Sequence, residues 1–484
     1  MLTTNNRAIK KADYPTRHAV IFSTNLFVYL FLPSFVASYY AVPWRYKSSI
    51  ILAFSYAFYA WWRVEYLLLI FLMSAFSFYM ARASLSLSTA KKRKTAMIIG
   101  VTVDLLCLAY FKYANFIVDN VNGVMAIAGQ DGIQLEDILL PIGISFHTFQ
   151  SISYVVDVYR KDAAPARRLV DFLAFGALFP QLIAGPVLRY KDLSEQFVKR
   201  EHSWHTFEKG VKRFFLGLSM KVLIADSISP LADRIFGLSA PTFVESWLGA
   251  LAYSFQLFFD FAGYSAMAIG LGLMIGFRFI ENFNAPYISR SITEFWQRWH
   301  ISLSTWLRDY LYIPLGGNRI SNRRTYVNLC ATMVLGGLWH GSNWTFIIWG
   351  VWHGGWMAIE RAMGGKTKGT VWPSSIALGC TFLLVVIGWV IFRAPDLTSA
   401  LTMYCGMIGL NGFGISTGIA WQIQSSELIV LALAAMISFY PNWGAARFAA
   451  PRPSIEAIGY ICLTVLALSR MASQSYSPFL YFQF

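Results

Sequence analysis

YVNLCATMVLGGLWHGSNWTFIIWGVWHGGWMAIE, residues 326–360, is made of two apolar runs, 326–340 and 344–360, each carrying an imidazole among lipid-compatible side chains. The first run ends in Leu335-Gly336-Gly337-Leu338-Trp339-His340-Gly341. An ionisable group inside a membrane segment is costly to place and is by default a functional candidate. Histidine titrates near neutrality, so His340 can take up or release a proton at ordinary pH.

Outward from this stretch, similar runs recur near 20–41, 48–62, 64–81, 96–112, 138–157, 170–187, 211–228, 247–277, 376–393, 426–440 and 455–469. The 484 residues are 56% hydrophobic and 13% charged, against about 25% charged in a soluble domain. Crossing the hydrocarbon core takes about 20 apolar residues, and about eleven to thirteen segments can be placed on that scale. The expectation is an all-α polytopic membrane protein, with a basic extension over 1–19 and a single integral-membrane domain over 20–484. The first apolar run is too long for a signal-peptide core and no small-residue cleavage site follows it, so it is expected to be a retained helix.

The formal charge of +15 comes from lysines and arginines in short loops between apolar runs. That is the pattern of cytoplasmic membrane loops, and it argues against nucleic acid as a partner. The five cysteines stand singly in apolar stretches, without CxxC or zinc spacing, and are expected to be small core filler. No histidine pairs with a carboxylate at metal-ligand spacing, so no metal is expected.

Charge also predicts sidedness. Residues 82–94 carry Arg82, Lys91, Lys92, Arg93 and Lys94 without an acid, whereas 113–137 carry Asp119, Asp131, Glu136 and Asp137 without a base. The first segment is expected in the cytoplasm and the second outside. Basic patches at Arg160, Lys161, Arg167 and Arg168 and at Arg189, Lys191, Lys199 and Arg200 lie on both sides of one apolar run, 170–187, which contains Pro180, Gly185 and Pro186. Such residues are tolerated at membrane depth where protein supports the freed backbone, so this run is expected to be re-entrant. The arginine-rich stretch 278–324 is expected to face the cytoplasm, with Phe295 to Leu315 forming an amphipathic or partly re-entrant helix. His340 then lies well into or across the membrane from that basic stretch.

Three Trp-His pairs occur, at Trp299-His300, Trp339-His340 and Trp352-His353, among only seven histidines. Gly336, Gly337 and Gly341 leave room beside His340 for a ligand or for another helix. His300 stands in a polar cluster with Arg298, Ser302, Ser304, Arg308 and Asp309, either as a second functional histidine or in a capped interfacial helix anchored by arginines. His353 reads as structural, and His147 is a buried polar group without an assigned purpose. Asp260, surrounded by aromatics, needs a partner: an imidazole, an arginine or a structural ion pair. Serine-nucleophile and nucleotide-hydrolysis motifs are absent.

The segments FSYAFYAWW (54–62), PIGISF (141–146), FPQLIAGPVL (179–188), SITEFWQRWHISLSTWLRDYLY (291–312) and GGLWHG (336–341) resemble the membrane-bound O-acyltransferases, and within them the alginate-acetylating members. The resemblance covers nearly the whole chain, and its last three segments are long enough to be specific. It implies a helical bundle with re-entrant helices around a central tunnel, in the bacterial inner membrane and surrounded by lipid. It also implies that His340 is the family's central histidine and His300 the second family position. Two departures stand out: Ala262 and Ala266 occupy positions where those relatives carry polar residues, and His147 stands where an aromatic is expected.

The activity implied is acetyl transfer from a cytoplasmic thioester, acetyl-CoA, toward an exported polysaccharide such as alginate or cellulose. His340 would act as general base or would carry the acetyl group transiently. Arg298 and Arg308 would position the donor, whose phosphates the cytoplasmic arginines attract. A polymer is too large for such a tunnel, so a separate periplasmic acetyltransferase is the expected partner. D-alanyl transfer to teichoic acid on the same scaffold, and transport of a polysaccharide or lipid-linked sugar, are the competing possibilities. No inverted repeat is visible and paired membrane carboxylates for ion coupling are few, which counts against transport.

Overall fold

In the computed structural model, residues 22–182, 185–364, 374–440, 453–473 and 480 are described. The basic stretch 1–19 lies outside them. Every regular element among the described residues is helical.

The first half contains α1 (Phe27–Ala41), α2 (Lys47–Ala60), α3 (Glu65–Ser86), α4 (Ala90–Ile127), α5 (Ile144–Arg160), α6 (Leu169–Gly176), α7 (Phe179–Leu182) and α8 (Tyr190–Val198). The second contains α9 (Trp204–Phe236), α10 (Phe243–Met274), α11 (Ile292–Arg298), α12 (Ile301–Leu307), α13 (Asn322–His340), α14 (Trp344–Ala362), α15 (Ser374–Arg393), α16 (Leu397–Met407), α17 (Ser425–Ser438) and α18 (Pro453–Ser473).

Six of these are both long and apolar enough to cross a bilayer: α3, α4, α9, α10, α15 and the part of α18 from Glu456. The other apolar runs form helices that are shorter or more polar. Thus α1 and α17 are short, while α13 opens on Arg323 and Arg324 and α14 closes on Glu360 and Arg361. The outer helices turn Ile98, Ile99, Leu105 and Leu106 of α4 and Ile458, Ile461, Val465 and Leu466 of α18 outward, as a lipid-facing surface requires. Cys380 and Cys462 are exposed, against the core-filler expectation, whereas Cys107, Cys330 and Cys405 are half-buried and Cys107 packs on Met73.

The central post is α10, buried along almost its entire length. A capping box at Thr242 and Glu245 starts it by satisfying donors that the first turn leaves open. Glycines then let α9 lie against it backbone to backbone. A Cβ on Gly217 would stand 2.4 Å from the Gly263 carbonyl oxygen, and one on Gly270 would stand 2.6 Å from that of Gly210. Where helices cannot gain by leaving water, close packing of this kind holds them together.

The same contact settles Asp260. Its carboxylate lies 2.7 Å from the Lys221 ammonium, which also holds Asp226 at 2.6 Å, and it accepts from the Leu480 backbone N–H at 2.9 Å. The partner is a lysine, and the structural ion-pair alternative describes the site. A π turn at Met220–Ala225 carries Lys221 inward on α9.

The run 170–187 is broken as its prolines and glycine predict. It forms α6 and α7, about 12 and 6 Å long at 1.5 Å per residue, too short to cross. Its deep backbone is held by protein: Phe179 N–H donates to Ser55 Oγ at 3.1 Å, and Gln181 Nε2 to the Phe175 carbonyl at 2.9 Å. At Gly143, with φ +76°, a Cβ would strike the Leu182 carbonyl oxygen at 2.4 Å, so only glycine admits this approach. Both ends of the segment return to basic groups, Arg168 with Asp171 on one side and Arg189 with Asp192 and Asp309 on the other.

Candidate active site

Helix α13 starts at a Ser321 cap beside Arg323 and Arg324 and runs about 27 Å to His340 at its last position. Its neighbour α14 crosses it tightly. A Cβ on Gly337 would lie 2.2 Å from the Phe346 carbonyl oxygen, and one on Gly350 2.5 Å from that of Met333. At Gly341 a Cβ would enter the Phe346 ring. Of the two uses expected for these glycines, the structure shows the approach of another helix. The imidazole of His340 is only 6% exposed and is walled by the rings of Trp339, Trp349 and Phe392, with centroids 5.1, 5.3 and 5.4 Å away.

The arginine-rich stretch delivers His300 to the same place. The single helix expected over Phe295 to Leu315 is instead α11 and α12 with a break at Trp299-His300. His300 has left-handed backbone angles, φ 45° and ψ 51°, which cost a non-glycine residue roughly 1–2 kcal/mol. That kink turns the fully buried imidazole inward, so that its centroid lies 6.2 Å from that of His340 and 4.7 Å from the Phe261 ring. Helix α12 then docks through Trp306, which stacks on Phe149 at 3.6 Å and donates its indole N–H to the Phe149 carbonyl.

The tautomer of His300 follows from its partners. Nδ1 lies 3.0 Å from Asn282 Oδ1, an oxygen that also accepts from the Ser302 backbone N–H at 3.3 Å and from its hydroxyl at 2.8 Å. A backbone N–H can only donate, so the side-chain atom it meets is the amide oxygen, and His300 Nδ1 must carry the proton. Nε2 is therefore a lone pair, buried and without a hydrogen-bond partner among the described residues. An unprotonated imidazole nitrogen, on a ring 6.2 Å from that of a second histidine, is equipped to accept a proton or to orient a hydroxyl.

Asn282 was not singled out by the sequence reading. It also borders an apolar cavity of about 360 Å³ between α9, α10, α17 and α18, with Arg213 and Glu281 among the lining residues and paired at 2.7 Å. A polar residue in a loop, far from either histidine in sequence, carries no periodic signal. Ser302, visible in the polar cluster, is its other anchor.

Arg298 and Arg308 are held elsewhere. Arg298 donates to Glu294 at 2.9 Å and to the Asn284 carbonyl at 3.2 Å; Arg308, 58% exposed, pairs with Asp309 at 2.7 Å. The two histidines are brought together, and these arginines bind their own acidic and carbonyl neighbours. His353 accepts from Trp296 Nε1 at 3.3 Å and packs against Trp349, in keeping with a structural role. His147 is satisfied at both nitrogens, by the Gly176 carbonyl at 3.0 Å and Ser74 Oγ at 3.3 Å, and so ties α5 to α6 and α3.

Comparison with known proteins places this architecture. Residues 161–394 match the model of the membrane-bound O-acyltransferase family. A probable alginate O-acetylase of Azotobacter vinelandii is 48% identical over 501 residues, covering 96% of this chain and 100% of the relative. One from Pseudomonas putida is 49% identical over 486 residues with the same coverage. A peptidoglycan O-acetyltransferase of Helicobacter pylori is 35% identical over 434 residues, covering 82% of this chain and 81% of its own length. With its all-helical multi-pass body and near-complete alignment to these enzymes, the chain belongs to the membrane-bound O-acyltransferase family.

Proposed function

We propose that this acyltransferase moves acetyl groups from cytoplasmic acetyl-CoA across the inner membrane for O-acetylation of an exported polysaccharide of the alginate or cellulose kind. The observation that carries this is the pairing of the buried imidazoles of His340 and His300, ring centroids 6.2 Å apart, at the far end of a helix rooted in basic residues. The names of the relatives, alginate O-acetylase and peptidoglycan O-acetyltransferase, support the polysaccharide as final acceptor.

In this scheme His340 takes the proton of the accepting hydroxyl as its oxygen attacks the thioester carbonyl, a contribution typically worth 10² to 10⁴ in rate. The proton then passes to the departing thiolate. His300, through its Nε2 lone pair, orients the hydroxyl. Exposed basic residues including Arg308, with Arg298 deeper in the same segment, draw the phosphates of the donor toward the cytoplasmic mouth. A polymer chain is too bulky to reach His340, so a periplasmic acetyltransferase receives the acetyl group and completes its delivery.

His340→Ala in the producing cell is expected to reduce polymer acetylation to background while polymer yield and the amount of membrane protein stay unchanged. Normal acetyl content at normal protein level would refute the assignment. Loss of secreted polymer would favour transport instead.

A further inference from the structure

Lys112 stands in α4 about 33 Å from Ala90 at 1.5 Å per residue, and is only 7% exposed. Both α4 and α13 start at basic segments, and they meet here. The Lys112 ammonium donates to the Trp339 carbonyl oxygen and lies 3.4 Å from Ser145 Oγ and 5.8 Å from the centre of the Trp339 ring. Its neighbour Tyr113 donates its hydroxyl to the Leu338 carbonyl at 2.8 Å. Consecutive residues of α4 thus hold consecutive carbonyls in the last turn of α13. The second of these belongs to the peptide bond that leads into His340.

Capping explains only part of this. A helix C-terminus favours a cation, but Tyr113 shows that a neutral hydroxyl serves the adjoining carbonyl. A buried ammonium is far more costly than a hydroxyl, and no carboxylate pairs with Lys112 among the described residues. Its three N–H donors meet one carbonyl and one distant hydroxyl. Beside it, the indole N–H of Trp339 is buried and has no acceptor among the described residues. Both groups are donors only. The Trp339 ring packs edge-on against the His340 ring, centroids 5.1 Å apart, and the His300 ring lies 6.1 Å from that of Trp339.

We propose that Lys112 and Trp339 form an anion site that holds the negative charge developing on the acyl carbonyl oxygen during transfer at His340. This rests on the transfer chemistry proposed above and deepens it. When the hydroxyl oxygen attacks the thioester carbon, the carbonyl π pair moves to oxygen and creates an oxyanion. The ammonium and the indole N–H stabilise that oxyanion. The intermediate then re-forms the C=O bond, breaks the C–S bond, and releases the thiolate to the proton held by His340. Both donors are fixed before reaction, which is what makes such stabilisation effective in a water-poor site.

The test uses membranes carrying the full-length protein with its host's export machinery, supplied with radiolabelled acetyl-CoA over a range of concentrations. Removing one oxyanion donor typically costs about 10² to 10³ in kcat. Lys112→Met is expected to lower the apparent kcat by about that factor with the KM for acetyl-CoA within about twofold of the parent, and Lys112→Arg to recover part of the rate. Trp339→Phe, which keeps a ring but removes the N–H, is expected to show the same split at normal protein level. Parental kcat in either Lys112→Met or Trp339→Phe would overturn the proposal, as would a loss confined to KM. If Lys112→Met fails to accumulate, Trp339→Phe decides alone. His340→Ala separates the two levels: full activity there defeats the underlying transfer scheme, whereas an inactive His340→Ala beside parental Lys112→Met and Trp339→Phe defeats only the anion site.

Discussion

At the scale of single residues, the decisive feature is a chain of donors and acceptors that leaves one nitrogen open. Asn282 Oδ1 collects the Ser302 N–H, the Ser302 hydroxyl and His300 Nδ1, and so fixes which nitrogen of His300 is bare. Asn282→Ala removes the acceptor and frees the ring to flip or to change tautomer. Misplacing a tautomer in a related hydrogen-bonded array costs as much as 10⁴ in rate; here a drop in acetylation of at least about tenfold is expected, with Asn282→Asp, which keeps an acceptor oxygen, retaining more. Acetyl content per polymer and the amount of protein in the membrane check this together. Equal activity in Asn282→Ala and the parent would mean that the tautomer is irrelevant. His340 and His300 were legible in the sequence as Trp-His pairs, one in a glycine-flanked apolar run and the other in a polar cluster, whereas the apolar runs alone did not separate His340 from the structural His147 and His353. Lys112 was not legible, for a physical reason: it closes the apolar run 96–112, where a lysine ordinarily reaches for the membrane surface. Only the continuation of α4 to Ile127 shows that it sits inside.

At the scale of elements, the breaks carry more information than the helices. The kink at Trp299-His300 turns a basic segment back into the bundle, and Trp299, Leu303, Trp306 and Tyr310, which stand at helical spacing in the sequence, give no sign of it. A left-handed residue disrupts the helix without altering the spacing of large side chains. The break at Pro180, Gly185 and Pro186 was readable, since these residues disfavour continuous helix in any context. If α6 and α7 enter and leave by one face, cysteines placed at the exposed positions Arg167 and Lys199, in a background lacking the five native cysteines, will react with a membrane-impermeant maleimide from the cytoplasmic side alone. Labelling of the two from opposite sides would show that the segment crosses. The glycines of α13 and α14 belong to this scale as well: their positions bring the two helices into backbone contact and so set where His340 comes to rest.

For the whole molecule, composition announced a membrane protein, but the count of spans depended on facts that hydropathy does not hold. Helices such as α13 and α14 need not be apolar throughout: Arg323 and Arg324 leave the first at an exposed end, and Glu360 near the end of the second is held by the backbone N–H groups of Ile292 and Thr293. What results is a buried post, α10, with a layer of lipid-facing helices outside it and two histidines meeting where short, broken elements interrupt the bundle. The central claim is that acetyl groups offered on the cytoplasmic face pass His340 to reach an acceptor on the other face. The most direct measurement uses inverted inner-membrane vesicles, whose outer surface is cytoplasmic, with radiolabelled acetyl-CoA outside and the periplasmic acceptor enclosed. The account predicts label on the enclosed acceptor with the parent protein and background label with His340→Ala. Transfer that persists in His340→Ala would contradict it.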